Sequence, residues 1–443
     1  MSNSESNNTD ISSSYSSSRS SCKASSINSI SDVNSSTDTS NSSDKYIDWS
    51  YEVFNKQYIC LSRLGKGAYC SVWLAYDYIH NSFFALKICN RIDYTHCQEE
   101  LTIQDELNNL KHTTNIYDYL ALPIEKFYYE NNDYQSVSDN SLSNNNKFTC
   151  FVFKLHGYSL YDIIKLFENK KYKFTYKFIA DIYTHCLKGL NILHSHNYAH
   201  TDIKPENILL KKPKLYCVKI INTINNLRHK YKNKKRLTIK TNLDTFIEEI
   251  KLKVNITTDN KDNFIEDSDE VYNYIFSSKN YEFVLCDLGS VMKFNNPKIF
   301  RRHTVYYRAP EVLLELNYDG RYDIWSLGCT LYELITGDIL FDPDDYNLTL
   351  HHIYLLAERF GLMPLHMINN SPKRELFFTH DFKQIRGYTF VRFKPLFINL
   401  YTILLDNNIP EQYIHIILNI ISDMLIVDCN IRPSVQNLLC KYI

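Results

Sequence analysis

The sequence lacks the features that mark membrane-spanning and nucleic-acid-binding proteins. No uninterrupted apolar run reaches the roughly 20 residues that a spanning helix needs, and the nearest candidate, residues 414–427, is broken by Asn419, Ser422 and Asp423. Its helical spacing predicts a core helix instead. Basic and acidic residues nearly cancel, at 49 and 50, so the whole chain has no charge bias towards nucleic acid or an anionic membrane. We expect neither as a direct partner.

The cysteines lack the spacing of a redox or metal motif. All 12 are scattered without a C-x-x-C pair, and no charged-then-apolar leader precedes them. These absences favour an intracellular protein with reduced thiols, located in the cytoplasm or nucleus. The 443 residues suffice for two lobes with a large core.

The amino-terminal stretch has very few apolar residues. Residues 1–45 are dominated by Ser, Asn, Thr and Asp. Ordering a residue costs roughly 1–2 kcal/mol of backbone entropy, and this stretch has little to bury in return. The composition therefore predicts a disordered tail, with order beginning near Tyr46.

What the sequence does contain is a dense polar motif, HTDIKPEN, at residues 200–207, followed by the apolar run Ile-Leu-Leu. Asp202 can orient an attacking hydroxyl and accept its proton, and Lys204 can neutralise charge on phosphoryl oxygens. Asn207 offers an amide oxygen to a metal ion. Phosphoryl transfer asks a protein mainly for positioning and electrostatic stabilisation, so a short loop with these groups is sufficient.

Residues 283–289, Phe-Val-Leu-Cys-Asp-Leu-Gly, predict a strand that delivers Asp287 to a tight turn. A magnesium ion that bridges phosphate oxygens requires a carboxylate in this position. Asp287 and Asn207 are therefore the predicted metal ligands.

Two further signals lie near the amino terminus of the ordered region. Gly65 and Gly67, with Leu64 and Lys66, form a loop whose backbone amides can approach phosphates, although an ordinary hairpin turn has the same appearance. Lys87 lies in the middle of an apolar strand, where an unpaired charge would be costly. Lys87 therefore needs an anionic partner.

The rest of the sequence predicts two helices, a loop and an insertion. Helical spacing covers residues 160–167 and 176–194, and residues 129–147 predict a long exposed loop. Residues 212–280 form an insertion with a basic first half and an acidic second half. We expect it to be solvated, with helix around residues 243–254, although its halves could also fold against each other or bind a partner.

Residues from about 57 to the carboxyl terminus resemble the eukaryotic protein kinases, since these motifs occur in order and are independent of one another. Within the CMGC group the catalytic loop is similar to that of the SR-protein kinases. Leu288 in place of the common Phe, Cys70 at the third glycine position and the insertion after the loop are further likenesses. Residues 306–311, Tyr-Tyr-Arg-Ala-Pro-Glu, look more like cyclin-dependent or CDC-like kinases.

The resemblance implies an α+β, two-lobed protein-kinase fold. A small β-rich N-lobe would span residues 46–155 and a larger helical C-lobe residues 156–443, with the insertion at about 212–280. It also implies ATP and Mg²⁺ as cofactors and Glu106 as the partner of Lys87, with Glu99 and Glu100 as alternatives. The adenine would lie among the remaining predicted contacts, which are Val72, Ala85, Leu155, His156 and Leu209.

Three supporting contacts are also expected. Asp323 would accept hydrogen bonds from the catalytic-loop backbone, Glu311 would pair with Arg432, and Thr304 resembles the threonine that contacts the catalytic Asp and Lys. Thr201 and Val305 occupy positions where related kinases carry arginines that bind an activating phosphate. We therefore expect an activation segment that needs no phosphorylation.

The sequence thus predicts a serine/threonine protein kinase, because the D-x-K-x-x-N loop resembles that class. Arg-Ser-rich substrates are suggested by the family and by a group of acidic residues, Glu206, Asp338, Asp342, Asp344 and Asp345. The alternatives are CDC-like or cyclin-dependent-like specificity, and a pseudokinase scaffold that binds partners through the insertion and tail. A small-molecule kinase is disfavoured by the Ala309-Pro-Glu loop.

Overall fold

The computed structural model describes most of the chain after residue 46. The described residues are 47–67, 70–89, 103, 105–107, 115–130, 147–168, 172–232, 243–257, 266–294, 304–344, 347–381, 384–388, 393–394 and 396–443. The tail predicted for residues 1–45 lies outside them.

The first part of the chain forms a six-stranded sheet in the order β1-β2-β3-β4-β6-β5, in which every pair is antiparallel. Aromatic and β-branched residues dominate these strands, and Asn81 provides a left-handed turn residue between β3 and β4. The strands are β1 Val53–Phe54, β2 Tyr58–Lys66, β3 Cys70–Asp77, β4 Ser82–Cys89, β5 Glu125–Glu130 and β6 Lys147–Lys154.

The predicted loop at 129–147 is shorter than expected at both ends. Tyr129 and Glu130 complete β5, and Lys147 begins β6, because the two strands pair as far as Glu130↔Lys147. Residues 131–146 lie outside the described part of the chain.

The second part is mainly helical and begins with a short strand, β7 (Gly157–Ser159). In one small sheet β9 pairs with both β7 and β10, and in a second sheet β8 pairs with β11. These strands are β8 Tyr198–Ala199, β9 Ile208–Pro213, β10 Phe283–Leu285 and β11 Met292–Lys293. The first helices are α1 Leu160–Phe167 and α2 Tyr176–His194, as the spacing predicted. Ser159 caps α1, since its hydroxyl accepts the Asp162 N–H while the Asp162 carboxylate accepts the Ser159 N–H.

The insertion folds into three helices, α3 Leu215–Lys232, α4 Leu243–Thr257 and α5 Ser268–Phe276. The expected solvated insert is therefore wrong, while the helix expected around residues 243–254 is confirmed. Its oppositely charged parts meet, since Lys219 Nζ lies 2.9 Å from the Glu270 carboxylate.

The insertion also packs against the N-lobe sheet. Buried apolar side chains recur at helical spacing on α3 and α4, and they share one cluster with buried side chains of β2 and β3. The cluster comprises Ile59, Leu61, Leu74, Tyr76, Cys217, Ile220, Ile224, Leu227, Phe246, Ile247, Ile250 and Val254. We call it the insert cluster. The insertion is therefore buried on one side because its apolar residues form a stripe at helical spacing, although the segment is rich in charge.

The carboxyl-terminal helices surround a buried central helix, α7 (Arg321–Thr336), in which Asp323 and Trp325 are fully buried. The others are α6 Pro310–Leu313, α8 Leu348–Phe360, α9 Leu365–Asn370, α10 Arg374–Phe377, α11 Leu396–Asp406, α12 Glu411–Met424 and α13 Val435–Tyr442. The core helix expected within residues 414–427 is confirmed, because α12 buries Ile414, Ile417 and Ile421.

This architecture agrees with the expected α+β class, a small β-rich part followed by a larger helical part. Among the helices of the described residues, none combines the length and apolar character required to cross a bilayer.

Candidate active site

Asp323 on α7 anchors the backbone of the catalytic loop. The buried carboxylate accepts the backbone N–H of His200 at 2.8 Å and of Thr201 at 3.0 Å, which confirms the predicted role. His194 Nε2 lies 2.9 Å from the same carboxylate. Burial alone would raise the pKa of Asp323, but the hydrogen bonds and charge of the histidine hold it below its usual value.

Thr201 has an uncommon conformation for a β-branched residue, with φ +73°. Its hydroxyl donates to the Ser290 carbonyl at 2.7 Å, and the Ser290 hydroxyl donates to the His200 carbonyl at 3.2 Å. These two bonds join the catalytic loop to the segment after Asp287.

Asp202 is surrounded by donors. Lys204 Nζ lies 2.7 Å from one carboxylate oxygen, and the Thr304 hydroxyl donates to the other at 2.6 Å. Lys204 also donates to the Thr304 hydroxyl at 2.9 Å, so the expected contacts of Thr304 are confirmed. Asn207 Nδ2 donates to Asp202 at 3.0 Å.

The electrostatics keep both members of this pair charged. Burial would raise the pKa of Asp202, but the Lys204 charge and the hydrogen bonds from Lys204 and Thr304 lower it below the usual value. Burial opposes charge on Lys204, yet the Asp202 carboxylate outweighs it and raises the pKa of Lys204. The Asp202 carboxylate is therefore ionised at neutral pH.

Lys87 and Asp287 meet across the two parts of the fold. Lys87 Nζ lies 3.7 Å from the Asp287 carboxylate, whose side chain is 54% exposed. Asp287 has a left-handed backbone, with φ 60°, at the start of a tight turn. The adjacent Cys286 N–H donates to the Asn207 carbonyl at 2.9 Å, which places Asp287 beside the catalytic loop. The structure thus brings Lys87, Asp202, Asn207 and Asp287 together.

The donor set near Asp287 suits a divalent cation that is shared with phosphate. Asn207 and Asp287 offer hard oxygen ligands of the kind that Mg²⁺ prefers. Within the described ranges, no group of three or more His, Cys, Asp or Glu side chains could form a metal site alone. The residues present fit a metal ion through the Asn207 amide oxygen and the Asp287 carboxylate.

The glycine loop lies at the end of β2. Gly65 pairs with Val72 on β3, and the Gly67 N–H donates to the Cys70 carbonyl at 2.8 Å. A Cβ at Gly65 would meet no atom within 4 Å, so the side of the loop at Gly65 is open. Residues 68 and 69 lie outside the described part of the chain.

Three of the predicted adenine contacts lie on β3, β4 and β9. Val72 is directly opposite Lys87, and Ala85 is opposite Phe153, while Leu209 on β9 is opposite Val284. Leu64, on β2 two residues before Lys66, and Leu155 pack at the edge of the insert cluster.

His156 follows Leu155 at the junction of the two parts. Its Nδ1 is buried and has no hydrogen-bond partner in the described structure. Burial, with the charges of Lys211 and Lys154, lowers the pKa of His156 to about 4. The imidazole is therefore neutral at physiological pH.

Glu106 differs from the expectation. It lies on a helical segment, but its carboxylate is 3.5 Å from Lys293 Nζ, and the described ion-pair partner of Lys87 is Asp287. The expected Lys87–Glu106 pair is not formed in the described structure, because the half-exposed Glu106 side chain extends towards β11. Glu99 and Glu100 lie outside the described residues, and the assignment of Glu106 stays a prediction.

Sequence reasoning missed a buried carboxyl group near the site. Glu333 on α7 is 5% exposed, and the Tyr307 hydroxyl donates to it at 2.6 Å. Burial raises the pKa of Glu333 to about 7, and neighbouring Glu206 contributes to the shift. Burial likewise raises the pKa of Glu206. The available signal was an acidic residue within the apolar second half of α7.

A second buried pair braces the loop that follows the active site. Arg432 donates to both Glu311 oxygens, at 2.6 and 3.0 Å, and both side chains are almost fully buried. This confirms the expected pair. Its bidentate geometry fixes α6 against the carboxyl-terminal helices.

Comparison with known sequences decides the family. The sequence model of the Protein kinase domain matches residues 58–223 and 271–443, which together are more than half of the chain. The chain belongs to the protein kinase family. The fold is therefore the two-lobed kinase fold, and the unmatched residues 224–270 fall within the insertion.

Individual relatives agree with a place in the CMGC group. "Putative serine/threonine-protein kinase L205" of Acanthamoeba polyphaga mimivirus is 26% identical, over 76% of this chain and 77% of its own length. Human "Dual specificity protein kinase CLK1" is 27% identical, over 75% of this chain and 54% of its own length. "Serine/threonine-protein kinase AFC3" of Arabidopsis thaliana is 28% identical, over 51% of this chain and 44% of its own length. The chain thus spans about half the length of the last two relatives.

Proposed function

We propose that this kinase transfers the γ-phosphoryl group of ATP to serine or threonine of protein substrates. The observation that carries the proposal is the ionised Asp202 carboxylate, fixed by Lys204, Thr304 and Asn207 beside the Lys87–Asp287 pair. Serine and threonine are proposed as the acceptors because the relatives from mimivirus and Arabidopsis are named serine/threonine-protein kinases.

In this proposal each residue of the site has a separate role in phosphoryl transfer. Asp202 accepts the proton of the attacking hydroxyl, and Lys204 neutralises charge on the transferred group. Lys87 pairs with phosphate oxygens, and the amides of Gly65 and Gly67 cover them. Asn207 and Asp287 would hold Mg²⁺, which supplies further charge neutralisation to phosphate oxygens.

The direct test is transfer of labelled phosphate from ATP to a protein mixture, followed by phosphoamino-acid analysis. We expect label on serine and threonine that depends on Mg²⁺ and on Asp287. Asp287→Asn should abolish transfer, whereas Glu375→Gln, which changes an exposed residue remote from the site, should not. Absence of Mg²⁺-dependent transfer by the intact chain would favour the pseudokinase scaffold.

We further propose that turnover needs no activating phosphate. Thr201 cannot pair a dianion as arginine does, but its hydroxyl and that of Ser290 already join the catalytic loop to the segment after Asp287. Treatment with phosphatase should therefore leave turnover intact. Loss of most activity after treatment would contradict this point.

We propose that the acceptor peptide is basic, as in Arg-Ser-rich substrates. Glu206 in the catalytic loop is exposed at the surface and its charge repels that of the buried Glu333, while desolvation raises the pKa of both carboxyl groups. A guanidinium would relieve this repulsion and restore both charges. A peptide array that compares Arg-Ser, Ser-Pro and acidic acceptors tests the point, since a Ser-Pro preference would favour cyclin-dependent-like or CDC-like specificity.

We also propose that the protein is located in the cytoplasm or nucleus. Ten cysteines in the described residues carry reduced thiols, which fits the cytoplasm or nucleus. The insertion is the segment that would contact a further protein there.

A further inference from the structure

Cys70 and Cys89 lie directly opposite each other on β3 and β4. We propose that these two residues are a redox modification site, at which a reversible disulfide forms beside the nucleotide cleft. Opposed residues of an antiparallel pair have Cα atoms about 4.5–5.5 Å apart. This separation lies within the roughly 4.4–6.8 Å range of disulfides. Neither residue forms a disulfide in this structure.

The two side chains project from the same face of the sheet as the proposed phosphate-binding lysine. Residues two apart on a strand share a face, and directly opposed residues do so as well. Cys89 therefore shares a face with Lys87, and Cys70 shares it with Val72. Cys70 and Cys89 also belong to one apolar cluster with Phe151 and Phe153, which confirms that the thiols point to a common side.

The pair has an asymmetry that suits stepwise oxidation. Cys70 is partly exposed, whereas Cys89 is 3% exposed. A peroxide can therefore reach the Cys70 thiol. Cys89 is then the resolving thiol, too buried to be oxidised first.

The chemistry balances with hydrogen peroxide as the two-electron oxidant. The Cys70 sulfur attacks the peroxide O–O bond, which gives a sulfenic acid and one water. The Cys89 sulfur attacks the sulfenic sulfur, forms the S–S bond and releases a second water. A dithiol reductant returns both thiols by exchange.

The consequence for the cleft follows from the hydrogen bond between Gly67 and Cys70. The Gly67 N–H donates to the Cys70 carbonyl, so the glycine loop is anchored at the residue that the disulfide would fix to β4. A cross-link here restrains the amides that must settle over phosphates. We expect loss of phosphate transfer on oxidation and recovery on reduction, a consequence that rests on the proposed function.

A second pair of thiols provides an internal comparison. Cys60 and Cys150 belong to one buried apolar cluster, both are fully buried, and burial raises the pKa of each thiol. Neither feature favours reaction with peroxide. These two thiols should stay reduced under conditions that oxidise Cys70.

The experiment treats the full chain with hydrogen peroxide, alkylates the remaining thiols, digests without reduction and maps linked peptides by mass spectrometry. We expect a Cys70–Cys89 link that dithiothreitol removes and that is missing from Cys70→Ser and Cys89→Ser. Cys440→Ser, which removes an exposed thiol elsewhere, should keep it. Mapping the unmutated chain needs no variant to fold.

Two outcomes would overturn the proposal: both thiols alkylated after treatment, or Cys70 linked to Cys97 or another cysteine. The link is read from mass, so it can be present even if the chain proves to have no transferase activity. In that case the disulfide site would stand and the proposed function would fail.

Discussion

The Thr201 hydroxyl donates a 2.7 Å hydrogen bond to the Ser290 carbonyl. This contact lies where related kinases are expected to use an arginine and a phosphate group. Asp323 holds the Thr201 N–H from the other side, so the residue is fixed by both its backbone and its side chain. Under the proposal that turnover needs no activating phosphate, this neutral hydrogen bond would support the catalytic loop in place of an arginine–phosphate contact.

Thr201→Val should weaken this connection. Valine keeps the β-branched shape but leaves the Ser290 carbonyl without its donor, which should cost roughly 1–3 kcal/mol of stability. Phosphate transfer should fall as well, because the loop that carries Asp202 loses a support. Thermal unfolding and turnover measure the two effects. Thr402→Val removes a hydroxyl from an exposed helix position and serves as the control; equal effects of the two changes would refute the role of Thr201.

Asp202→Asn should separate binding from chemistry. The amide retains most of the shape of the side chain but cannot accept the substrate proton, so kcat should drop by roughly 10²–10⁴-fold. ATP binding should change much less, since Lys87 and Asp287 are unaltered. Steady-state kinetics and nucleotide titration provide the comparison, with Glu375→Gln as the exposed control. Near-normal turnover would remove Asp202 from the role assigned to it.

Glu333 should give the stability of the fold a distinctive pH dependence. Its pKa rises from 4.5 to about 7 on folding, mainly through burial. Between these values the folded state holds more protons than the unfolded state, so this group lowers stability as pH rises from about 4.5 to about 7. Glu333→Gln should remove this contribution. Melting temperature measured against pH tests it, and an unchanged profile in the variant would contradict the assignment.

The same group links pH to substrate. The proposed basic peptide would contact the exposed Glu206 and, by its positive charge, favour the ionised form of neighbouring buried Glu333, so peptide binding should strengthen as pH rises through about 7. In Glu333→Gln the KM for a basic peptide should lose this dependence, while the KM for ATP should not change. A parallel change in both would indicate a general structural effect instead.

The sequence predicted those parts of the site that depend on short stretches of chain. Asp202, Lys204 and Asn207 are fixed by one loop, and the strand before Asp287 needs no distant information. The pairing of Glu106 could not be predicted this way, because the direction of a long side chain depends on how its helix sits relative to β11. Glu333 was overlooked because its neighbour Tyr307 is distant in sequence, and only the fold brings them together.

The insertion shows a different limit. Its composition is dominated by charges of opposite sign, which predicted a solvated segment. The decisive signal was the apolar stripe formed by Cys217, Ile220 and Ile224 on α3, continued by Phe246 and Ile250 on α4. Each stripe is readable as helical spacing, but the surface that it covers belongs to β2 and β3, and no local pattern identifies that partner.

This packing leads to the last prediction, which compares two residues of one helix. Phe246 on α4 is fully buried and its ring lies 6.2 Å from that of Tyr76 on β3, whereas Leu252 on the same helix is 67% exposed. Phe246→Ala should destabilise the protein by roughly 3–5 kcal/mol, and Leu252→Ala should stay within about 0.5 kcal/mol of the parent. Because Leu64 and Leu155 border the same insert cluster, Phe246→Ala should also raise the KM for ATP at temperatures where the variant is folded. Thermal unfolding and ATP kinetics on the two variants measure these effects. Equal stability of the two would show that the insertion does not brace the N-lobe sheet, and an unchanged KM would show that the brace does not reach the nucleotide cleft.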